Sequence, residues 1–223
     1  MNTNFKYLTT ISVFFVAVLL ISNVASTKIV QLLGLTFDGG TLLFPLSYIF
    51  ADILTEVYGY KKTRATIWLG FISALVMSLV FILVGVLPAA PDWGNQAAYD
   101  AILGLTPMIV LGSLIAYFCG EFSNSFILAK MKIWSEGKYL WMRTIGSTLV
   151  GQAVDSTLFI LIAFGAFLPG SLLISLIISN YVFKVAIEIL FTPITYTLVG
   201  FLKSREGVDT FDRDTNFNPF ARG

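Results

Sequence analysis

The chain has 223 residues, 57% of them hydrophobic and 12% charged, with a formal net charge of +1 and a mean hydropathy of +0.83. Soluble domains carry about 25% charged residues, so this composition excludes an ordinary soluble fold and predicts a polytopic membrane protein with the lipid bilayer as its first partner. One cysteine, Cys119, excludes a disulfide framework, and a sequence without histidine lacks the commonest general base and zinc ligand.

In chain order, residues 1–7 form a short head with Lys6. An apolar run over 8–33 follows, interrupted by Asn23 and Lys28. Val24-Ala25-Ser26 resembles a signal cleavage site, but the run is longer than a signal core of about 7–15 residues, which predicts a first, uncleaved span. Gly34, Asp38, Gly39 and Gly40 make a tight connection to a second span, 41–58. That span carries Asp52 and Glu56, whose i, i+4 spacing puts both acids on one helix face. A carboxylate at the centre of a membrane helix costs roughly 2.5–3.5 kcal/mol, so this face is expected to look into a bundle rather than into lipid.

The third span, 65–87, has no charged residue and suits a lipid-facing scaffold, which leaves room for a homodimer. Residues 88–104 form a polar loop long enough for a short interfacial helix. The fourth span, 105–129, contains Glu121 and Asn124. Trp134 and Trp141 then flank a basic turn, in the manner of an aromatic belt. The fifth, 144–168, carries Gln152 and Asp155, and Pro169-Gly170 reverses the chain. The sixth, 172–202, contains Asn180, Lys184 and Glu188. It is longer than a 30 Å hydrocarbon core requires, so Pro193 marks an expected bend. The tail, 204–223, is polar and is expected to be loosely ordered.

These elements predict an all-α fold: one transmembrane domain over 1–203 with six helices, followed by a polar cytoplasmic tail over 204–223. With both termini in the cytoplasm, twelve of the fourteen Lys and Arg residues fall on the inner side and the outer loops hold none, as the positive-inside rule requires. The expected location is the cell's inner membrane.

At 1.5 Å per residue, Asp155 and Glu188 fall near the midplane, Lys184 one turn outward, and Asp52 and Glu121 slightly inward. Glu56 lies deeper toward the cytoplasm and Lys28 nearer the outside. Five acids (Asp52, Glu56, Glu121, Asp155, Glu188) thus face two lysines, an excess of three negative charges if all ionise, and burying unpaired charge is costly. Plainer readings stand beside a functional one. Lys184 and Glu188 neutralise each other, Lys28 snorkels to the interface, Glu56 pairs with Lys61 or Lys62, and Asn23, Asn180 and Gln152 serve as interhelical glue. Asp52 and Asp155, deep and without a basic neighbour on the next turn, resist that treatment. Carboxylates beside Phe44, Tyr48, Tyr117 and Tyr181 suit a guanine-like base: an acid accepts from ring N–H and exocyclic amine, an amide or lysine serves the carbonyl, and a ring stacks.

Several short matches together resemble the queuosine-precursor transporter family, also described as vitamin uptake transporters. They are Ser22-Asn23, Phe44-Pro45, Ala51-Asp52 and Tyr58-Gly59, then Ser147-Thr148, Gly151-Gln152 and Asp155, and finally Asn180-Tyr181, Phe183-Lys184 and Pro193. The resemblance implies a six-helix importer of a 7-deazaguanine-type base with no cofactor and no nucleic-acid partner. It implies substrate contacts at Asn23, Asp52, Gln152, Asp155 and Lys184, a set that Glu56, Glu121 and Tyr181 extend. Coupling to a proton or sodium ion stays open. Two alternatives accompany it. One is a substrate-binding membrane subunit served by a separate ATP-driven motor. The other is an intramembrane aspartyl protease, which the missing Tyr-Asp and Gly-x-Gly-Asp signatures argue against, so the chain is read as no enzyme.

Overall fold

A computed structural model describes residues 5–25, 28–32, 35–103, 107–165 and 169–221. Among them are seven α-helices: α1 (Leu8–Ala25), α2 (Phe44–Tyr58), α3 (Tyr60–Gly85), α4 (Gln96–Ile102), α5 (Pro107–Trp134), α6 (Leu140–Phe164) and α7 (Gly170–Glu206). The helical expectation is met with one departure. The first helix stops at Ala25, and a two-stranded antiparallel hairpin, β1 (Ile29–Leu32) and β2 (Leu35–Asp38), follows. Val30 and Ile29 favour extended backbone, and a short 3-10 turn over Gly39–Leu42 leads into α2. Lys28 consequently lies outside the helix and is exposed. Ser26 of the cleavage-site reading, Gly34, the start of the fourth span at 105–106, the end of the fifth at 166–168 and Arg222 lie outside the described residues.

Among the described residues, four helices are long and apolar enough to cross a membrane: Leu8–Ala25, Tyr60–Gly85, Leu140–Ile162 and Leu173–Glu206. Their outward faces are greasy, with Leu69, Ile72, Leu79 and Leu83 exposed on α3 and Ile174, Ile178, Ile189 and Leu190 on α7. Such faces are stable against lipid and not against water.

The second expected span behaves differently. At 15 residues, α2 extends only about 22 Å, short of the hydrocarbon thickness, and it is buried over nearly its whole length. It is the axis of the bundle. On one side Ala51 joins a core with Phe15 and Leu19 of α1, Ile67 of α3 and Tyr117 of α5. On the other, Ile53, Leu54 and Val57 pack with Leu140 of α6 and Val199 and Leu202 of α7. The two carboxylates of α2 are enclosed by protein rather than facing outward.

Gly59 alone separates α2 from α3, so residues 60–64, which the expected spans left out, are helical. Its φ of +85° is left-handed, and a Cβ would lie 2.7 Å from Thr210 Cγ2 in the tail. At the other crossing, α5 and α6 meet through Gly120 and Gly151. A Cβ on Gly120 would sit 2.5 Å from the Tyr48 hydroxyl and 2.7 Å from Asp155 Cβ, so this approach brings the polar residues of three helices together.

The tail is not loose. Glu206 accepts hydrogen bonds from the backbone N–H groups of Lys6 (3.0 Å) and Tyr7 (2.6 Å) and from the Tyr58 hydroxyl (2.9 Å). Beyond it the chain runs under the basic end of the bundle. Arg64 donates to the carbonyls of Asn216 and Asn218, both at 2.8 Å, and Trp68 donates to Pro219 O at 2.9 Å. Asp212 accepts from the Tyr60 N–H, and Phe217 packs on Tyr60 and Phe126 with the Lys130 ammonium 4.1 Å from its ring centre. Polar composition suggested a solvated tail; alternating Phe and Asn residues instead let it bind aromatic and carbonyl-hungry surfaces.

Candidate functional site

Each helix of the site presents a row at three- or four-residue spacing: Tyr48, Asp52 and Glu56 on α2; Tyr117, Glu121 and Asn124 on α5; Thr148, Gln152 and Asp155 on α6; Lys184 and Glu188 on α7. All eleven side chains are buried. They divide into two unlike groups.

The first group lies level with Gly120 and Gly151. Asp155 and Lys184 form a salt bridge, with Nζ 2.6 Å from Oδ2, and the same ammonium stands 4.8 Å from the Phe44 ring centre. Asn124 Nδ2 donates to Asp52 Oδ1 at 2.7 Å. Around these pairs are polar atoms with no hydrogen-bond partner: Asp52 Oδ2, both oxygens of Glu121 and of Glu188, Asn124 Oδ1, both amide atoms of Gln152, and the hydroxyls of Tyr48, Tyr117, Thr148 and Ser156. Such groups are normally satisfied, and each costs about 1–3 kcal/mol when it is not. Twelve such atoms, contributed by four helices, describe a buried polar chamber with hydrogen-bonding capacity left over. Phe44, Tyr48 and Tyr117 give it an aromatic wall, with ring centres 6.1 Å and 5.9 Å from that of Phe44.

The second group is one turn further along α2, at the basic end. Glu56 receives Arg143 in a two-pronged contact, Nη2 to Oε1 at 2.7 Å and Nε to Oε2 at 3.2 Å. Lys203 Nζ lies 2.6 Å and Lys132 Nζ 3.5 Å from Oε1. Asp209 of the tail completes the knot, 2.6 Å from Lys132 and 2.9 Å from Lys203. Burial works to raise the Asp209 carboxyl, but the hydrogen bonds from Lys132 and Lys203 outweigh it and hold the group below the usual aspartate range.

The expected residues are distributed accordingly. Asp52, Glu121, Gln152, Asp155 and Lys184 come together in the chamber. Glu56 does not join them, and its partners are Arg143, Lys132 and Lys203 rather than Lys61 or Lys62, which are exposed on the first turn of α3. The i, i+4 neutralisation of Glu188 by Lys184 is also overturned, since Lys184 is spent on Asp155. Asn23 donates to the Leu19 carbonyl of its own helix at 2.9 Å. Tyr181 is half-buried, one turn before Lys184 on α7. Asn124 and Ser156 escaped the sequence reading as site residues. Their signal was present, because Asn124 is one turn from Glu121 and Ser156 four residues from Gln152.

A family profile described as "Putative vitamin uptake transporter" matches residues 38–198. A protein of Bacillus subtilis strain 168 named "Probable queuosine precursor transporter" is 32% identical over 179 residues, 78% of this chain and 77% of its own. The "Queuosine precursor transporter" of Escherichia coli strain K12 is 25% identical over 206 residues, 90% of each chain. No solved structure gives a significant match. With the family profile spanning most of its length and embracing the whole polar chamber, this multi-pass membrane protein belongs to the vitamin uptake transporter family.

Proposed function

We propose that the chain imports a queuosine precursor, a 7-deazaguanine-type base, across the inner membrane by alternating access. In this reading six segments span the bilayer, the shortened α2 among them, and both termini face the cytoplasm. The observation that carries the reading is the chamber of unpartnered polar atoms, whose donors and acceptors suit a planar base rich in N–H groups. Asp52 Oδ2 and Glu121 accept from the ring N–H and exocyclic amine, and the Gln152 and Asn124 amides complete the edge. Phe44, Tyr48 or Tyr117 stack on the ring face. The Asp155–Lys184 pair contributes a second acceptor and a cation. The names of the relatives favour the same cargo.

The Glu56 knot then acts as a gate. It ties α2, α5, α6, α7 and the tail together below the chamber, and it must loosen before the base leaves toward the cytoplasm. Binding of 7-cyano-7-deazaguanine to the purified protein tests the assignment. Weaker binding, by about tenfold or more, is expected in both D52N and D155N, and unchanged affinity in both would defeat the assignment.

A further inference from the structure

Glu188 is a buried acid that the cargo assignment does not use. Its side chain is 1% exposed, it sits on α7 in the middle of the chamber, and neither carboxylate oxygen has a hydrogen-bond partner. Among the described residues no uncommitted positive charge is paired with it. On its own helix Lys184, one turn away, is bound to Asp155 of α6 at 2.6 Å. From α2 it is within electrostatic reach of Asp52, and from α5 of Glu121, both acids. Tyr48 and Tyr117 add hydroxyls and no cation. Among the described residues the other buried or half-buried cations are committed elsewhere: Arg143, Lys132 and Lys203 to Glu56 and Asp209, and Arg64 to the carbonyls of Asn216 and Asn218. An ionised, unpaired carboxylate in such a place is expensive, and the neutral acid is the alternative.

We propose that Glu188 is the proton-binding site of the transport cycle, and that proton and base bind and leave together. The inference rests on the cargo reading given above. A neutral Glu188 carries an O–H, and neither of its oxygens is hydrogen-bonded within the protein. The carbonyl oxygen of a guanine-like base supplies an acceptor, so the protonated form binds the base and the ionised form repels that oxygen. The proton stays on the Glu188 carboxyl throughout and no covalent bond changes apart from its gain and loss in water. When the chamber opens to either side, water enters, the base departs and the acid ionises. The consequence follows in sign: base affinity is highest at low pH and falls as pH rises through the titration of Glu188, and an acidic exterior drives import.

The test uses the full chain in liposomes and 7-cyano-7-deazaguanine as probe. Wild-type protein should bind the base more tightly as pH falls, and a gradient of about one pH unit, acid outside, should support about tenfold accumulation for one coupled proton. E188Q keeps an N–H donor and a similar shape but cannot ionise. It should bind the base with an affinity independent of pH and equilibrate it without accumulation. E188A, with no donor, should bind weakly at every pH. Base binding that does not vary with pH in the wild type, or that keeps its full pH dependence in E188Q, would overturn the coupling while leaving the cargo intact. A wild-type protein that binds no base at any pH would overturn the cargo, and the coupling with it.

Discussion

Asp155 and Lys184 neutralise each other, and their pairing makes each hostage to the other. Breaking a buried pair by removing one partner costs about 3–5 kcal/mol, because the survivor is left charged and unpaired. K184M should therefore lower the melting temperature sharply, and the double variant D155N/K184M should recover most of the loss. Equal destabilisation in single and double variants would mean that the pair is not ionic. Asp52 makes the opposite case. Its Oδ1 is served by Asn124 and its Oδ2 is left for a ligand, so D52N should cost little stability but weaken base binding by about ten- to a hundredfold, the value of a charged hydrogen bond. A titration of base into both proteins, with melting curves alongside, separates the two effects. At this scale much was legible. The sequence placed five acids against Lys28 and Lys184; in the fold Lys28 is exposed outside the bundle, Glu56 is met by Arg143, Lys132 and Lys203, and Asp52, Glu121 and Glu188 are left without a salt bridge. Which acids they were was not legible: Lys184 is equally placed by spacing for Glu188 and by fold for Asp155, and only the packing of α6 against α7 decides.

Among the elements, the tail and the α2–α3 junction work as one device. Gly59 turns the chain with φ +85° and leaves room for Thr210, and Lys132 and Lys203 hold Asp209 just beneath. G59A should be destabilised by about 1–3 kcal/mol through strain and contact together, measured as a lower melting temperature. The Asp209 anchor has a definite pH dependence. Because its folded carboxyl lies below the ordinary range, its contribution is present at neutral pH and is lost as pH falls through the depressed value, below about 3.9. A spin label at exposed position 207, in a protein with Cys119 replaced, should be less mobile at neutral pH than in acid, whereas in D209N it should show the higher mobility throughout. A label as immobile in D209N as in the parent protein would contradict the anchor. The ordered tail was hidden from sequence reading because its partners, Arg64, Trp68 and Tyr60, are far away along the chain. The short hairpin was hidden because an apolar run of Ile, Val and Leu reads the same way as helix or strand.

Across the whole molecule, one short buried helix organises everything else. Apolar length and basic loops pointed to the lipid-facing helices, since those are properties of composition. The role of α2 as an enclosed axis depended on five neighbours and on the glycine crossing of α5 and α6, and neither is local information. The central claim is that this chain by itself moves a 7-deazaguanine-type base. The most direct measurement is uptake of radiolabelled 7-cyano-7-deazaguanine by liposomes containing only this protein. The account predicts saturable uptake that D52N and D155N abolish. Protein that binds the base yet fails to move it would contradict an autonomous carrier and point to a missing motor subunit, and protein that neither binds nor moves it would contradict the cargo.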